Sequence, residues 1–165
     1  PGATSGMIYP NGSHIAEVEI DPETGATEII RYTAVDDLGN VVNPVLVEGQ
    51  VQGGVMQGAG QVFGEHAKYD EASGQLLAGS FMDYVMPRAG WIPDMVVHDH
   101  PVPTPTNALG AKGVGESGCS GSLPALTNAV IDALRPLGIT HLDMPLTPAK
   151  VWTAIHRARG KSARR

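Results

Sequence analysis

Glu116 is the residue of this chain best placed to do chemistry. It stands in Gly110-Ala111-Lys112-Gly113-Val114-Gly115-Glu116-Ser117-Gly118, one carboxylate among four glycines, directly after the proline-rich run Pro101-Val-Pro-Thr-Pro-Thr. Glycine lets a backbone turn tightly and approach a ligand closely. A loop of this kind, just before a helix, can present a carboxylate to a reacting group. On spacing alone it fits a tight turn with a surface glutamate equally well. A phosphate-binding loop is excluded, because that needs G-x-x-x-x-G-K-[ST] and here Lys112 lies between Ala111 and Gly113. A dinucleotide fingerprint needs a preceding strand, and the proline run argues against one.

A second set of candidates lies in Gly49-Gln-Val-Gln-Gly-Gly-Val-Met-Gln-Gly-Ala-Gly60. Each glycine costs a helix about 1 kcal/mol relative to alanine, so close backbone packing or close approach of a ligand must compensate. Gln50, Gln57 and Gln61 are spaced seven and four apart and share one helical face. Carboxamides donate and accept hydrogen bonds, which suits a flat polar heterocycle. A solvated polar face with glycine-mediated helix packing is the plainer alternative, and the pattern alone favours it. His98 and His100 share one face of a strand in His-Asp-His, but third and fourth zinc ligands are not evident nearby. Cys119, three residues past Glu116, reads as a small buried residue.

These residues need elements to hold them. His14–Ile20 and Ala26–Val35 alternate like strands around the turn signal Asp21-Pro-Glu-Thr-Gly25, which predicts a hairpin. Asn43 as N-cap and Pro44 at the first position open a helix to about His66, with Val47, Val51 and Val55 as its apolar stripe. A second hairpin is expected around Ala72-Ser73-Gly74, then a short strand over Asp94–His100 and the loop 103–118. A helix starting near Gly121 or Ser122 and ending before Pro136 carries Leu123, Leu126, Val130 and Leu134 on one face. Thr147-Pro148 opens a last helix with Val151, Trp152 and Ile155. The pattern is α+β, hairpins packed against about three helices.

Composition bounds the partners. The 165 residues make one ordinary domain or two small ones. With 42% hydrophobic but only 5% aromatic residues, the core is expected to be Val, Leu, Ile, Ala and Met. Five of the 11 basic residues lie in 157–165, leaving six against 17 acidic ones in the body, a net of −11 that argues against nucleic acid. The basic segment itself reads as a frayed, disordered tail. One cysteine excludes an internal disulfide and an all-cysteine cluster, and fits a cytoplasmic setting. No apolar run approaches the length of a membrane span, and no charged-then-apolar signal segment is seen.

The stretches Asn11-Gly-Ser-His14, Val18-Glu-Ile-Asp-Pro-Glu-Thr-Gly25, Asp37-Leu-Gly-Asn-Val-Val-Asn-Pro44, Glu48-Gly-Gln-Val-Gln-Gly-Gly54, Gln57-Gly-Ala-Gly60, Met82-Asp-Tyr84, Gly110-Ala-Lys-Gly-Val-Gly-Glu116 and Asp143-Met-Pro-Leu-Thr-Pro148 occur in order along nearly the whole chain. As a set they resemble the C-terminal part of the molybdenum-binding large subunit of the xanthine dehydrogenase and aerobic carbon monoxide dehydrogenase family. Val47-Glu-Gly-Gln50 and Asp143-Met-Pro-Leu-Thr-Pro148 favour its carbon monoxide dehydrogenase-like branch. The resemblance implies that residues 1–156 form a molybdopterin-binding domain of a bacterial, multi-subunit oxidoreductase. It implies that Glu116 is the general base beside molybdenum, with water as the oxygen source. Gln50 matches a glutamine that hydrogen-bonds the pterin. Lys112, Gly113, Val114 and Gly115 match the loop facing the cofactor. The metal is held by the pterin's sulfurs, so no protein metal ligand is expected.

The resemblance further implies a molybdenum–pterin cofactor, of which the cytosine dinucleotide is one form, with iron–sulfur clusters and FAD on other subunits. Those subunits, the remainder of the large subunit and a small-molecule substrate (carbon monoxide, an aldehyde or an N-heterocycle) are the implied partners. The family's large subunit is several times longer than this chain. The chain alone is therefore expected to be catalytically incomplete, with an exposed apolar or glycine-rich surface near Gly49–Gly60. Cys119 departs from the family's pattern, where small residues and often threonine follow the glutamate. A subunit-docking or assembly module without chemistry is the rival function.

Overall fold

The computed structural model describes residues 7–162. Strands β1 (Asn11–Ile20) and β2 (Thr27–Asp37) form the predicted antiparallel hairpin. The Asp21 carboxylate fixes its turn, accepting from the Glu23 N–H at 2.9 Å and the Thr24 hydroxyl at 2.7 Å. Strand β3 (Asp94–Asp99) lies parallel to the other side of β2, giving a three-stranded mixed sheet in the order β1-β2-β3.

Helix α1 (Pro44–Phe63) begins where its cap chemistry puts it, the Asn43 side chain accepting from the Leu46 N–H at 3.2 Å. Helix α2 (Ser117–Leu134) packs between α1 and β1, and α3 (Pro148–Ser162) closes the end of the hairpin near Gly25. The core is aliphatic, with Val51, Val55, Ala59 and Val62 of α1, Leu126 and Val130 of α2, and Val151 and Ile155 of α3 all buried. The aliphatic expectation fails at two residues, Phe63 of α1 and Tyr32 of β2, the latter the largest fully buried side chain.

Strands β1 and β2 extend to Asn11 and Asp37, past the expected His14 and Val35, and α1 ends at Phe63, short of His66; three other differences are larger. The second hairpin shrinks to a single bridge, Tyr69 to Leu76, around a turn tied by Asp70 to Ser73. Helix α2 starts at Ser117, not at Gly121 or Ser122, so Pro124 lies inside it. Helix α3 continues through Arg157 to Ser162, where a disordered tail from 157 is expected from charge alone; 163–165 lie outside the described residues. No helix among the described residues is long and apolar enough to cross a membrane.

Candidate functional site

Glu116 is the residue that opens α2. Its backbone is the N-cap, its side chain makes no cap hydrogen bond, and it is exposed in the wall of a cleft of about 750 Å³. Gly113 and Gly115 line the same cleft, and open space stands where a side chain on either would project. A flat ligand can therefore lie directly on the backbone beside the carboxylate. Tyr9 and Pro10, with Asn11 and Gly12 at the start of β1, line the cleft too.

The loop that carries these residues is held from below. Gly110 takes a positive φ of 63°, and its carbonyl accepts from both the Asn40 N–H (3.0 Å) and the Thr104 N–H (3.1 Å). The Asn107 carboxamide clasps Ala111 by donating to its carbonyl at 2.9 Å and accepting from its N–H at 3.2 Å. The Lys112 N–H donates to the Leu38 carbonyl at 2.8 Å, and its Nζ reaches Asp37 Oδ2 at 2.5 Å, with both side chains about nine-tenths buried.

Of the six site residues the sequence suggests, the cleft brings together Gly113, Gly115 and Glu116. Lys112 and Val114 are not in its lining; the ammonium of Lys112 is committed to Asp37 and braces the loop from behind. Gln50 is exposed on α1 and also outside the lining, but its neighbour Val51 touches Gly118, so it stands at the end of α1 nearest the start of α2. Gln57 and Gln61 are exposed on that helix too. His98 and His100 are exposed, and no group of three or more His, Cys, Asp or Glu that could hold a metal forms among the described residues. Cys119 is half-buried; burial first, then the nearby Glu116 carboxylate, push its thiol up.

The ion pair behind the loop has a measurable consequence. The Lys112 ammonium, then the Gly39 and Val102 N–H groups, hold the Asp37 carboxyl down to about 2. A depressed folded-state pKa gives stability that is present above the ordinary carboxylate value of about 4 and is lost as pH falls through about 2. In Lys112→Met the Asp37 value rises, so acid-induced unfolding is expected at higher pH than in the parent. Tryptophan fluorescence between about pH 5 and 2 checks this. Coincident acid transitions would mean that the pair does not brace the loop.

A group missed by sequence reasoning lines the cleft from the sheet side. His14 of β1 lies opposite Ala34, with Tyr32 and Asp36 as its diagonal neighbours on β2. Its Nδ1 meets the Tyr32 hydroxyl at 2.7 Å and its Nε2 meets Asp36 Oδ1 at 3.2 Å. A carboxylate oxygen accepts, which puts a ring proton on Nε2, while Nδ1 pairs with the tyrosine hydroxyl. His14 and Asp36 side chains are both 3% exposed. Burial first, then the Asp36 charge, raise the Tyr32 phenol above its ordinary range. The signal was the period-two row Tyr32, Ala34, Asp36, which puts a carboxylate on the core face of a strand.

Residues 2–93 match the model of the molybdopterin cofactor-binding domain family. The chain belongs to that family.

Relatives of this molybdopterin-binding chain extend the likeness beyond those residues. It is 42% identical, over 90% of its length, to the carbon monoxide dehydrogenase large chain of Hydrogenophaga pseudoflava. It is 41% identical, over 92% of its length, to the nicotine 6-hydroxylase large subunit of Paenarthrobacter nicotinovorans. In both cases it spans 18% of the relative. Among solved structures, the Cu,Mo-CO dehydrogenase matches 91% of this chain with a TM-score of 0.86 at 36% identity, this chain covering 19% of it. Quinoline 2-oxidoreductase from Pseudomonas putida 86 matches 89% with a TM-score of 0.86 at 39% identity, again over 19% of that chain. The mixed sheet and three helices are thus the fold of part of a molybdenum hydroxylase.

Proposed function

We propose that this chain forms one wall of the active site of a molybdenum hydroxylase, an oxidoreductase acting on a small molecule such as carbon monoxide, an aldehyde or an N-heterocycle. The observation that carries the proposal is the exposed Glu116 carboxylate at the start of α2, beside two glycines whose backbone lies open to the same cleft. These residues fit a flat pterin-type group. The N–H groups and carbonyls of Gly113 and Gly115 are available to it, the Val114 carbonyl being taken by Ser117, and the exposed Gln50 carboxamide can donate and accept at its edge. When bound, the molybdenum–pterin group supplies a two-electron acceptor and acidifies water.

Glu116 then has a defined task. A carboxylate within reach of an acidified water takes its proton near neutral pH. Lys112 acts at one remove, holding the loop against Asp37 so that Gly113 and Gly115 keep their position. The remainder of the large subunit supplies the facing wall, and iron–sulfur and flavin subunits in the cytoplasm carry electrons away.

The closing experiment is metal analysis. The chain by itself is expected to retain no stoichiometric molybdenum through gel filtration, because it offers only one wall. Co-expressed with the rest of a large subunit, it is expected to retain the metal. Failure of the assembled protein to hold molybdenum would overturn the proposal. A second function, docking without chemistry, draws support from exposed apolar side chains at the start of α1 and beyond it: Val42, Val45, Leu46, Phe81, Met82 and Leu109. In that case the assembled complex forms but gains no metal through this chain.

A further inference from the structure

The base chemistry proposed above gives no part to the buried trio Tyr32–His14–Asp36, yet His14 and Asp36 line the same cleft as Glu116. The trio's composition is costly. Asp36 Oδ2 is buried and has no hydrogen-bond partner among the described residues. Buried polar atoms are normally paired, and an apolar trio would fill the same space without that cost. What the polar trio provides is a single orientation. Two hydrogen bonds on opposite sides of the imidazole fix its rotation, and Tyr32 also meets it edge-on, the planes at 88°.

The fixed ring meets α2. A methyl group on Gly121 would overlap the His14 ring, lying 2.5 Å from Cε1 and 2.6 Å from Cγ, so the helix backbone sits directly on the imidazole. On its other side α2 is seated on α1, where Gly118 meets the backbone of Val51 and Val55 and Ser122 meets Gly58. The first turns of α2 are therefore held between two rigid surfaces. Glu116 is five residues before Gly121, roughly 7 Å along the axis, with no side-chain bond of its own to fix it.

We propose that His14 is a positioning residue for Glu116: its ring, oriented by Tyr32 and Asp36, is the stop that sets the height of the first turns of α2 and so the place of the carboxylate. This rests on Glu116 acting as the base. A misplacement of about 1 Å can cost on the order of a hundredfold in rate.

The test uses the complete enzyme. Five quantities are measured: kcat per bound molybdenum, KM, molybdenum content, melting temperature, and amide hydrogen exchange over residues 115–122. Gly121→Ala lifts α2 off the ring and is expected to cut kcat per bound molybdenum by about tenfold or more, with little change in KM. Exchange over 115–122 is expected to speed up. Adding His14→Ala makes room for the methyl and is expected to recover several-fold of the lost rate. Tyr32→Phe keeps the volume, frees the ring to turn, and is expected to lose rate several-fold without loss of folding.

If Gly121→Ala and Tyr32→Phe lower only melting temperature and molybdenum content, leaving kcat per bound molybdenum within about threefold of the parent, the ring is structural and the inference is overturned. The variant Glu116→Gln separates the two ideas. Loss of turnover there, with normal turnover in Gly121→Ala and Tyr32→Phe, overturns the positioning role alone. Normal turnover in Glu116→Gln overturns both.

Discussion

In the complete enzyme, Glu116→Gln is expected to fold and load molybdenum like the parent while kcat per bound molybdenum falls by at least about a hundredfold. Loss of a general base typically costs 10²–10⁴-fold. The expectation of intact folding comes from the geometry. The Glu116 carboxylate caps no helix N–H and forms no ion pair among the described residues, and it is exposed. All that the fold loses is a favourable charge at the start of α2, roughly 0.3–1 kcal/mol. Glutamine keeps the shape and can still hydrogen-bond, but it cannot take a proton. A rate within about threefold of the parent, far short of the usual effect, would mean that Glu116 is only a turn residue.

Local chemistry made much of this fold legible. The Asp21–Gly25 turn, the Asn43-Pro44 helix start and the apolar stripe of α1 each follow from short-range rules, and each stands close to where the sequence puts it. The start of α2 does not. A helix beginning at Gly121 would place Pro124 in the first turn, where a missing N–H is harmless. Seating of Gly118 on α1 outweighs that preference and draws the helix back to Ser117, with the Ser117 N–H and hydroxyl both donating to the Val114 carbonyl. The extension of α3 past Arg157 is a similar override. The positive residues there suggest fraying, yet the Arg159 guanidinium comes within 3.5 Å of Glu23 on the hairpin turn.

The site was legible in part for the same reason. Glu116 and its glycines are contiguous, so the loop could be read directly. Lys112 could not, because its partner Asp37 is 75 residues away in the chain. The His14 group is likewise assembled across strands, through a register that only the folded hairpin fixes. The glycines of α1 divide in a way no spacing reveals. Gly54, Gly58 and Gly60 are packed against neighbouring groups, whereas Gly49 and Gly53 face open space. The expected glycine-rich exposed surface near Gly49–Gly60 is therefore confined to one side of the helix.

The contrast between packed and open glycines, carried across to Gly118 of α2, gives substitutions of opposite sign. Gly118→Ala would push a methyl into the Val51 carbonyl and to 2.9 Å from the Val55 nitrogen and 3.1 Å from the Gly54 carbonyl carbon. All three are backbone atoms of α1, which cannot rotate out of the way, so α1 and α2 must separate. Overpacking of this kind costs about 2–3 kcal/mol, which for a chain of this size lowers Tm by roughly 4–12 °C. Because Glu116 is two residues away, turnover in the complete enzyme should fall with it. Gly49→Ala meets nothing within 4 Å. In the chain alone it should gain up to about 1 kcal/mol of helix propensity. If Gly118→Ala were as stable as the parent, the close crossing of α1 and α2 would not be what seats the glutamate. For Gly49→Ala the informative comparison is between the chain alone and the complete enzyme. A gain in the first that becomes a loss of bound molybdenum in the second means that the open face of α1, with Gln50 beside it, is approached closely by the cofactor or by the wall that holds it.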